Sequence, residues 1–159
     1  MLSFKHSPEK EKLGQVLIRE EMITPEQLEY ALQAQKQQGG LLGEILIQLG
    51  FTTEEDIAQA LAIQHNFPYL PLANYDIDAE IIKLVPESTA RKYCLLPVDK
   101  MGDILTIVMA DPLDKKAIDE IEALTKCKSE IFVTTYTEIK QALERFYAGN
   151  KEQRTEGQE

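Results

Sequence analysis

The sequence predicts an α/β (α+β) protein in two parts. A four-helix tandem-repeat subdomain over residues 1–66 is followed by a small three-stranded sheet with helices over 67–148, and a polar tail over 149–159 is expected to be disordered. Three observations carry this expectation. Residues 12–35 and 41–64 hold one 24-residue pattern written twice, 29 positions apart. The helical period then stops at His65-Asn66-Phe67-Pro68-Tyr69-Leu70-Pro71-Leu72, where two prolines and two aromatic residues intervene. Beyond that break, short runs rich in β-branched residues alternate with helical patterns.

The repeat comes first. Nine of the 24 aligned pairs are identical, among them Leu13/Leu42, Gly14/Gly43, Leu17/Leu46, Thr24/Thr53, Ala31/Ala60 and Gln35/Gln64. Identity at core, cap and glycine positions together means that each copy encodes one supersecondary unit, and two such units pack face to face by pseudo-symmetry. Each copy reads as helix, turn, helix. Leu13, Val16 and Leu17 share one face. Thr24-Pro25-Glu26-Gln27 then supplies a capping threonine, a proline at the first helical position and a glutamine two residues on. Leu28, Ala31, Leu32 and Gln35 follow at helical spacing, and Ile57, Ala60, Leu61 and Gln64 repeat that stripe. Gly14 and Gly43 stand inside helical patterns, where glycine costs about 1 kcal/mol relative to alanine. Something approaches closely there: the partner helix of the other repeat, or a ligand held across the pseudo-twofold.

The remaining elements follow in order. Residues 1–6 form a loose arm, and Ser7-Pro8-Glu9 starts the first helix. After the break, 78–85 is a short helix and Pro86 opens another over 87–93. Residues 95–98 and 104–109 are strands joined by a hairpin-like turn at 100–103. Asp111-Pro112 stops the second strand, and Ile118, Ile121 and Leu124 mark the next helix. The third strand covers 130–135. Thr137 caps a last helix with Ile139, Ala142, Leu143 and Phe146 facing inward.

Seventeen basic against 27 acidic side chains give a formal net charge of −10. That balance argues against a nucleic-acid polymer as partner, because such binding rests on cations gathered on one face. Cys94 and Cys127 have no CxxC or His-rich neighbour and read as thiols in a reducing compartment. The N-terminal residues lack an apolar core and cleavage site, and no run reaches the roughly 18 apolar residues of a spanning helix. A cytoplasmic protein without membrane insertion is expected.

The sequence offers no catalytic residue to argue from. A phosphate-cradling loop needs G-x-x-x-x-G-K-[ST], and no such string occurs. His6 and His65 are far apart in sequence, so no metal set is expected. Glu54-Glu55-Asp56 crowds three carboxylates into one turn, where they complement the dipole of a helix capped by Thr53. Ser88 lacks both elbow glycines and a base. A non-enzymatic chain with no required cofactor is expected.

The repeated pattern, basic-Leu-Gly-x-x-Leu-[Val/Ile]-x-x-Gly and then Ala-Leu-x-x-Gln, resembles the N-terminal domain of type II secretion and type IV pilus assembly ATPases. The resemblance runs on through Leu96-Pro97 and Met109-Ala110-Asp111-Pro112-Leu113 to a helix ending near Tyr147. In that family the double motif can bind cyclic di-GMP, one copy to each half of the dinucleotide, and the chain continues into a nucleotide-hydrolysing domain. Carried onto this sequence, the resemblance implies a nucleotide site of Lys12, Leu13, Gly14, Gln35, Leu41, Leu42, Gly43 and Gln64. This chain departs from the family pattern in three places. The arginine that opens each motif is Lys12 in one copy and Leu41 in the other, and the glycine that closes the first helix is Glu21 in one and Gly50 in the other. Lysine presents a point charge where arginine stacks and forks, leucine presents none, and losing both contacts costs several kcal/mol. The leading expectation is a regulatory and docking module, peripheral to the inner membrane through a partner: the assembly-platform protein, or another subunit such as the assembly ATPase. A cyclic di-GMP receptor is the second expectation, and a structural domain pairing by exposed helix faces is the third.

Overall fold

The computed structural model describes residues 11–158, with side chains as far as Tyr147. The chain divides into two compact units between Phe67 and Pro68.

The first unit is helical: α1 (Leu13–Arg19), α2 (Pro25–Gln38), α3 (Leu42–Gln48) and α4 (Glu54–His65). The helix start expected at Ser7-Pro8-Glu9 lies outside the described residues. Thr24 forms the full capping box: its hydroxyl accepts from Gln27 N at 3.1 Å while Gln27 Oε1 accepts from Thr24 N at 2.9 Å. Thr53 caps α4 alone, accepting from Asp56 N at 3.1 Å. The ends of α1 and α3 are also copies. Met22 N reaches Leu17 O and Glu21 N reaches Ile18 O, and Phe51 N to Leu46 O and Gly50 N to Ile47 O repeat this left-handed close one repeat later.

Helix α1 packs on α4 and α2 on α3, so the first helix of each repeat lies against the second helix of the other. The core is correspondingly paired. Val16, Leu17, Leu28 and Ala31 and their repeat mates Ile45, Leu46, Ile57 and Ala60 share one buried cluster, with Ile23 added from the first turn. Leu17 and Leu46 are wholly enclosed, and burial of such a side chain contributes about 1.5–3 kcal/mol. Interleaving explains why a seven-residue α1 or α3 persists, since helices this short are marginal alone.

The second unit holds α5 (Ala79–Ile82), α6 (Glu87–Tyr93), β1 (Leu95–Met101), β2 (Ile104–Met109), α7 (Lys115–Thr125), β3 (Lys128–Val133) and α8 (Tyr136–Gln158). The sheet order is β1-β2-β3, with β1 antiparallel and β3 parallel to the central β2. The register of β1 shifts between Pro97 and Asp99, and Pro97 sits on an outer strand, where its missing N–H is tolerated. Leu105, Ile107, Val108 and Met109 of β2 are fully buried.

Several boundaries differ from the sequence expectation. Strand β3 covers 128–133 rather than 130–135. Lys126 closes α7 at φ 61° and Lys128 N already donates to Asp103 O at 2.7 Å, so pairing starts early. Thr135, not Thr137, caps α8, because its hydroxyl accepts from Glu138 N at 3.0 Å. Tyr147 faces inward more fully than Phe146, its hydroxyl donating to Val85 O at 2.8 Å. Leu124 of α7 is exposed, the inner face being Ala117 and Ile121. The backbone of α8 continues to Gln158 rather than breaking into a disordered tail at 149, along residues rich in the good helix formers lysine, glutamate, glutamine and arginine.

The segment after the boundary is strapped to the sheet and α8. Val133 N donates to Pro68 O and Leu70 N to Val133 O, both at 2.9 Å. Glu138 Oε1 accepts from Leu72 N at 2.7 Å and Ala73 N at 3.1 Å, while Oε2 accepts from the hydroxyls of Thr134 and Tyr69. Two turns along α8, Arg145 donates to the carbonyls of Leu72, Ala73 and Tyr75.

Candidate functional site

Two cavities in the helical unit are built from the same repeat positions. One, of about 240 Å³, is walled by Leu41, Gly43, Glu44, Ile57 and Leu61 of the second repeat, with Leu13 from the first. The other, of about 210 Å³, is walled by Lys12, Gly14, Gln15, Leu28 and Leu32 of the first repeat, with Leu42 from the second. Apart from Ile47, which lines the larger cavity alone, these are mates position by position, and Leu42 lines both, so the cavities adjoin across the internal pseudo-twofold.

The glycines open them. A Cβ on Gly14 would stand 2.7 Å from Leu28 Cδ1, and one on Gly43 would stand 3.1 Å from Ile57 Cγ2. The close neighbour is therefore the second helix of the glycine's own repeat, not the partner helix of the other repeat. Gly14 and Gly43 thus serve packing and cavity together. The absent Cβ lets Leu28 or Ile57 close the core, and the same backbone forms a cavity wall.

Of the residues the sequence singles out, Lys12, Leu13, Gly14, Leu41, Leu42 and Gly43 line these cavities. Gln35 and Gln64 do not. Gln35 Nε2 donates to the carbonyl of Gly40, and Gln64 Nε2 to that of Glu11, each at 3.0 Å. Glu44, Gln15, Ile47, Ile57, Leu28, Leu61 and Leu32 are the walls that sequence reasoning left out. Helical spacing carried the signal, since Gly43 and Glu44 are adjacent and Ile57 and Leu61 lie one turn apart on the face of α4.

Charge breaks the symmetry that the walls keep. Lys12 stands exposed at the smaller cavity, where its mate at the larger is Leu41, 68% exposed. Glu44 stands exposed at the larger cavity, where its mate at the smaller is neutral Gln15. Arg19, at the far end of α1, is engaged elsewhere, gripping Glu11 through two nitrogens at 2.7 and 3.2 Å and Glu20 at 2.7 Å. That grip, by hydrogen bonding first, holds the Glu11 carboxyl below the usual carboxylate range.

The rest of the described residues offer little chemistry. Burial pushes the Cys94 thiol up to about 11, away from the thiolate that a nucleophile needs. Among the described residues no group of three or more His, Cys, Asp or Glu is placed to hold a metal ion, and no helix is long and apolar enough to cross a membrane.

Comparison with known proteins agrees with this architecture. The model of the MshEN domain matches residues 65–153. The type IV pilus assembly ATPase PilB of Myxococcus xanthus (strain DK1622) is 34% identical over 137 residues, covering 86% of this chain and 24% of that protein. PilB of Thermus thermophilus is 33% identical over 138 residues, covering 86% and 16%. Bacteriophage adsorption protein B of Escherichia coli (strain K12) is 29% identical over 136 residues, covering 86% and 18%. The chain thus spans about a quarter or less of these relatives. A solved structure of MshE with cyclic di-GMP superposes with a TM-score of 0.74 at 32% identity, covering 87% of this chain and all of that one. The N-terminal domain of XpsE shares the fold, with a TM-score of 0.63 at 21% identity over 84% of this chain. The family model matches from residue 65 onward, while the sequence likeness to the relatives and the structural likeness both extend over most of the chain. The protein belongs to the MshEN domain family, homologous to the N-terminal regions of pilus-assembly and secretion ATPases.

Proposed function

We propose that the chain is a non-enzymatic regulatory and docking module of a type II secretion or type IV pilus assembly system, engaging a cytoplasmic protein of the machine through its helical unit. One observation carries this. The paired cavities keep their apolar walls and their glycines, but among the described residues only one of them has a cation in its lining. An apolar pair with so little positive charge suits protein side chains better than a ligand with two phosphates, because each unmatched phosphate must be desolvated without compensation. The net charge of −10 favours a basic partner, chiefly through the rate of encounter. The occurrence of a similar stretch in a bacteriophage adsorption protein supports a module carried by different proteins.

The second function in view is a cyclic di-GMP receptor using Lys12, Leu13, Gly14, Leu41, Leu42 and Gly43, with Gln35 and Gln64 bracing the motifs. The likeness to MshE with cyclic di-GMP favours it. Both functions place the work in the same cavities.

The docking function is tested by titrating the cytoplasmic domain of the assembly-platform protein with the chain and with Leu32→Asp/Leu41→Asp. Both leucines are exposed, so the fold should tolerate the change. The expected result is binding by the wild type that weakens about tenfold or more in the variant. Equal binding by both proteins would move the docking surface elsewhere.

A further inference from the structure

We propose that the two adjoining cavities together receive one amphipathic helix of a partner protein, which brings an acidic residue to Lys12 and a basic residue to Glu44. The inference rests on the docking function above and names the chemistry of its partner.

Size speaks for side-chain anchors. At about 240 and 210 Å³, each cavity alone falls below the ~300–1,000 Å³ of sites that enclose a small organic ligand. Each is suited to one large apolar side chain. Leu42 walls both, so anchors on neighbouring turns of one element can fill the two together. A helix offers this at spacings i, i+4 or i, i+7, which at 1.5 Å rise place anchors roughly 6–10 Å apart. Around the openings Leu41 is 68% exposed, Leu32 40% and Ile47 36%. They continue the apolar surface outward as a band for the flank of such a helix.

Charge then decides what kind of helix. The scaffold is repeated, and its charges are not: Lys12 has Leu41 as mate, and Glu44 has Gln15. Among the described residues neither Lys12 nor Glu44 enters an ion pair, unlike Arg19. A ligand with two like charges at equivalent positions would gain at one cavity and be repelled at the other. A helix with an acid beside one anchor and a base beside the other satisfies both, in one direction only. Rim pairs of this kind contribute little to affinity; they select orientation and partner. The apolar anchors hold the helix, and Lys12 and Glu44 set which way it lies.

The test is selection from a displayed library of amphipathic helices of about 18 residues, with two apolar anchors at helical spacing and the flanking positions varied among Asp, Glu, Lys, Arg and Ala. The targets are the whole chain, Lys12→Glu/Glu44→Lys, and Leu32→Asp/Leu41→Asp. All four positions are exposed, and unchanged circular dichroism establishes that each target is folded. On the wild type the selected helices should carry an acid beside one anchor and a base beside the other. On the charge-swapped target the order should invert, and a helix selected on the wild type should bind that target about tenfold more weakly. Enrichment with no charge pattern, or with the same pattern on both targets, would overturn the charge assignment and leave the docking function standing. Enrichment no greater on the wild type than on Leu32→Asp/Leu41→Asp would overturn both.

Discussion

Gln64 donates its Nε2 to the backbone carbonyl of Glu11 at 3.0 Å, and so ties the end of α4 to the residue before the N-cap of α1. Gln35 does the same at 3.0 Å to Gly40, the repeat mate of Glu11, ahead of α3. Each glutamine thus braces the opening of the other motif, and the two bonds close the pseudo-symmetric bundle. Gln64→Ala and Gln35→Ala should each lower stability by about 0.5–1 kcal/mol, the ordinary worth of one exposed hydrogen bond. Urea midpoints measure this, and unchanged midpoints for both would mean that the bonds brace nothing.

The closes of α1 and α3 predict opposite responses at mated positions. Glu21 holds φ 61° and Gly50 φ 78°, a left-handed conformation that costs a residue with a Cβ roughly 1–2 kcal/mol. Glu21→Gly should therefore stabilise the fold by about 0.5–1 kcal/mol, and Gly50→Ala should destabilise it by about 1 kcal/mol. Thermal unfolding of the two variants checks the pair of signs.

Enlarging the cavity glycines tests their packing role. Gly14→Leu must displace Leu28, whose Cδ1 would stand 2.7 Å from the new Cβ, and Gly43→Leu must displace Ile57, whose Cγ2 sits on the stiffer branched carbon. Each should cost about 1–3 kcal/mol by overpacking. Urea unfolding with no loss at either site would place the glycines against open space.

Alkaline pH should destabilise the second unit. Burial pushes the Cys94 thiol from 9.0 up to about 11 and the Tyr147 hydroxyl from 10.0 up to about 12. Both are acids whose neutral form the fold prefers, so above pH 9 the folded chain keeps protons that the unfolded chain has released. Stability is then full below pH 9 and falls as pH rises through about 11 to 12. The urea midpoint should decline over that window, and Cys94→Ala should remove the part between 9 and 11. At pH 8 a thiol reagent should label Cys94 slowly in the native protein and quickly in urea.

The sequence was informative where pattern and local chemistry coincide. The repeat announced four helices, Thr24 and Thr53 announced two starts, and alternation beyond Pro71 announced the sheet. It was poorer where a distant partner decides. Thr135 rather than Thr137 caps α8 because of where β3 ends, and β3 begins early because Asp103 supplies its first carbonyl. Glu138 and Arg145 read as ordinary helix-surface charges, and nothing in their spacing tells that they fasten 72–75. At the cavities, motif matching found Lys12, Leu41 and the glycines. It took Gln35 and Gln64 for cavity walls because repeated identity does not separate a brace from a lining residue. Glu44 differs between the copies, and so a search for identities passed over it.

If the chain is a docking module, its paired cavities should bind cyclic di-GMP weakly for want of the two opening arginines. Calorimetry with cyclic di-GMP, on the wild type and on Lys12→Arg/Leu41→Arg at one salt concentration, tests it most directly. Each guanidinium adds charge-assisted contacts worth roughly 1.5–3 kcal/mol, so the double variant should bind measurably where the wild type binds weakly or not at all. Tight binding by the wild type would contradict the account.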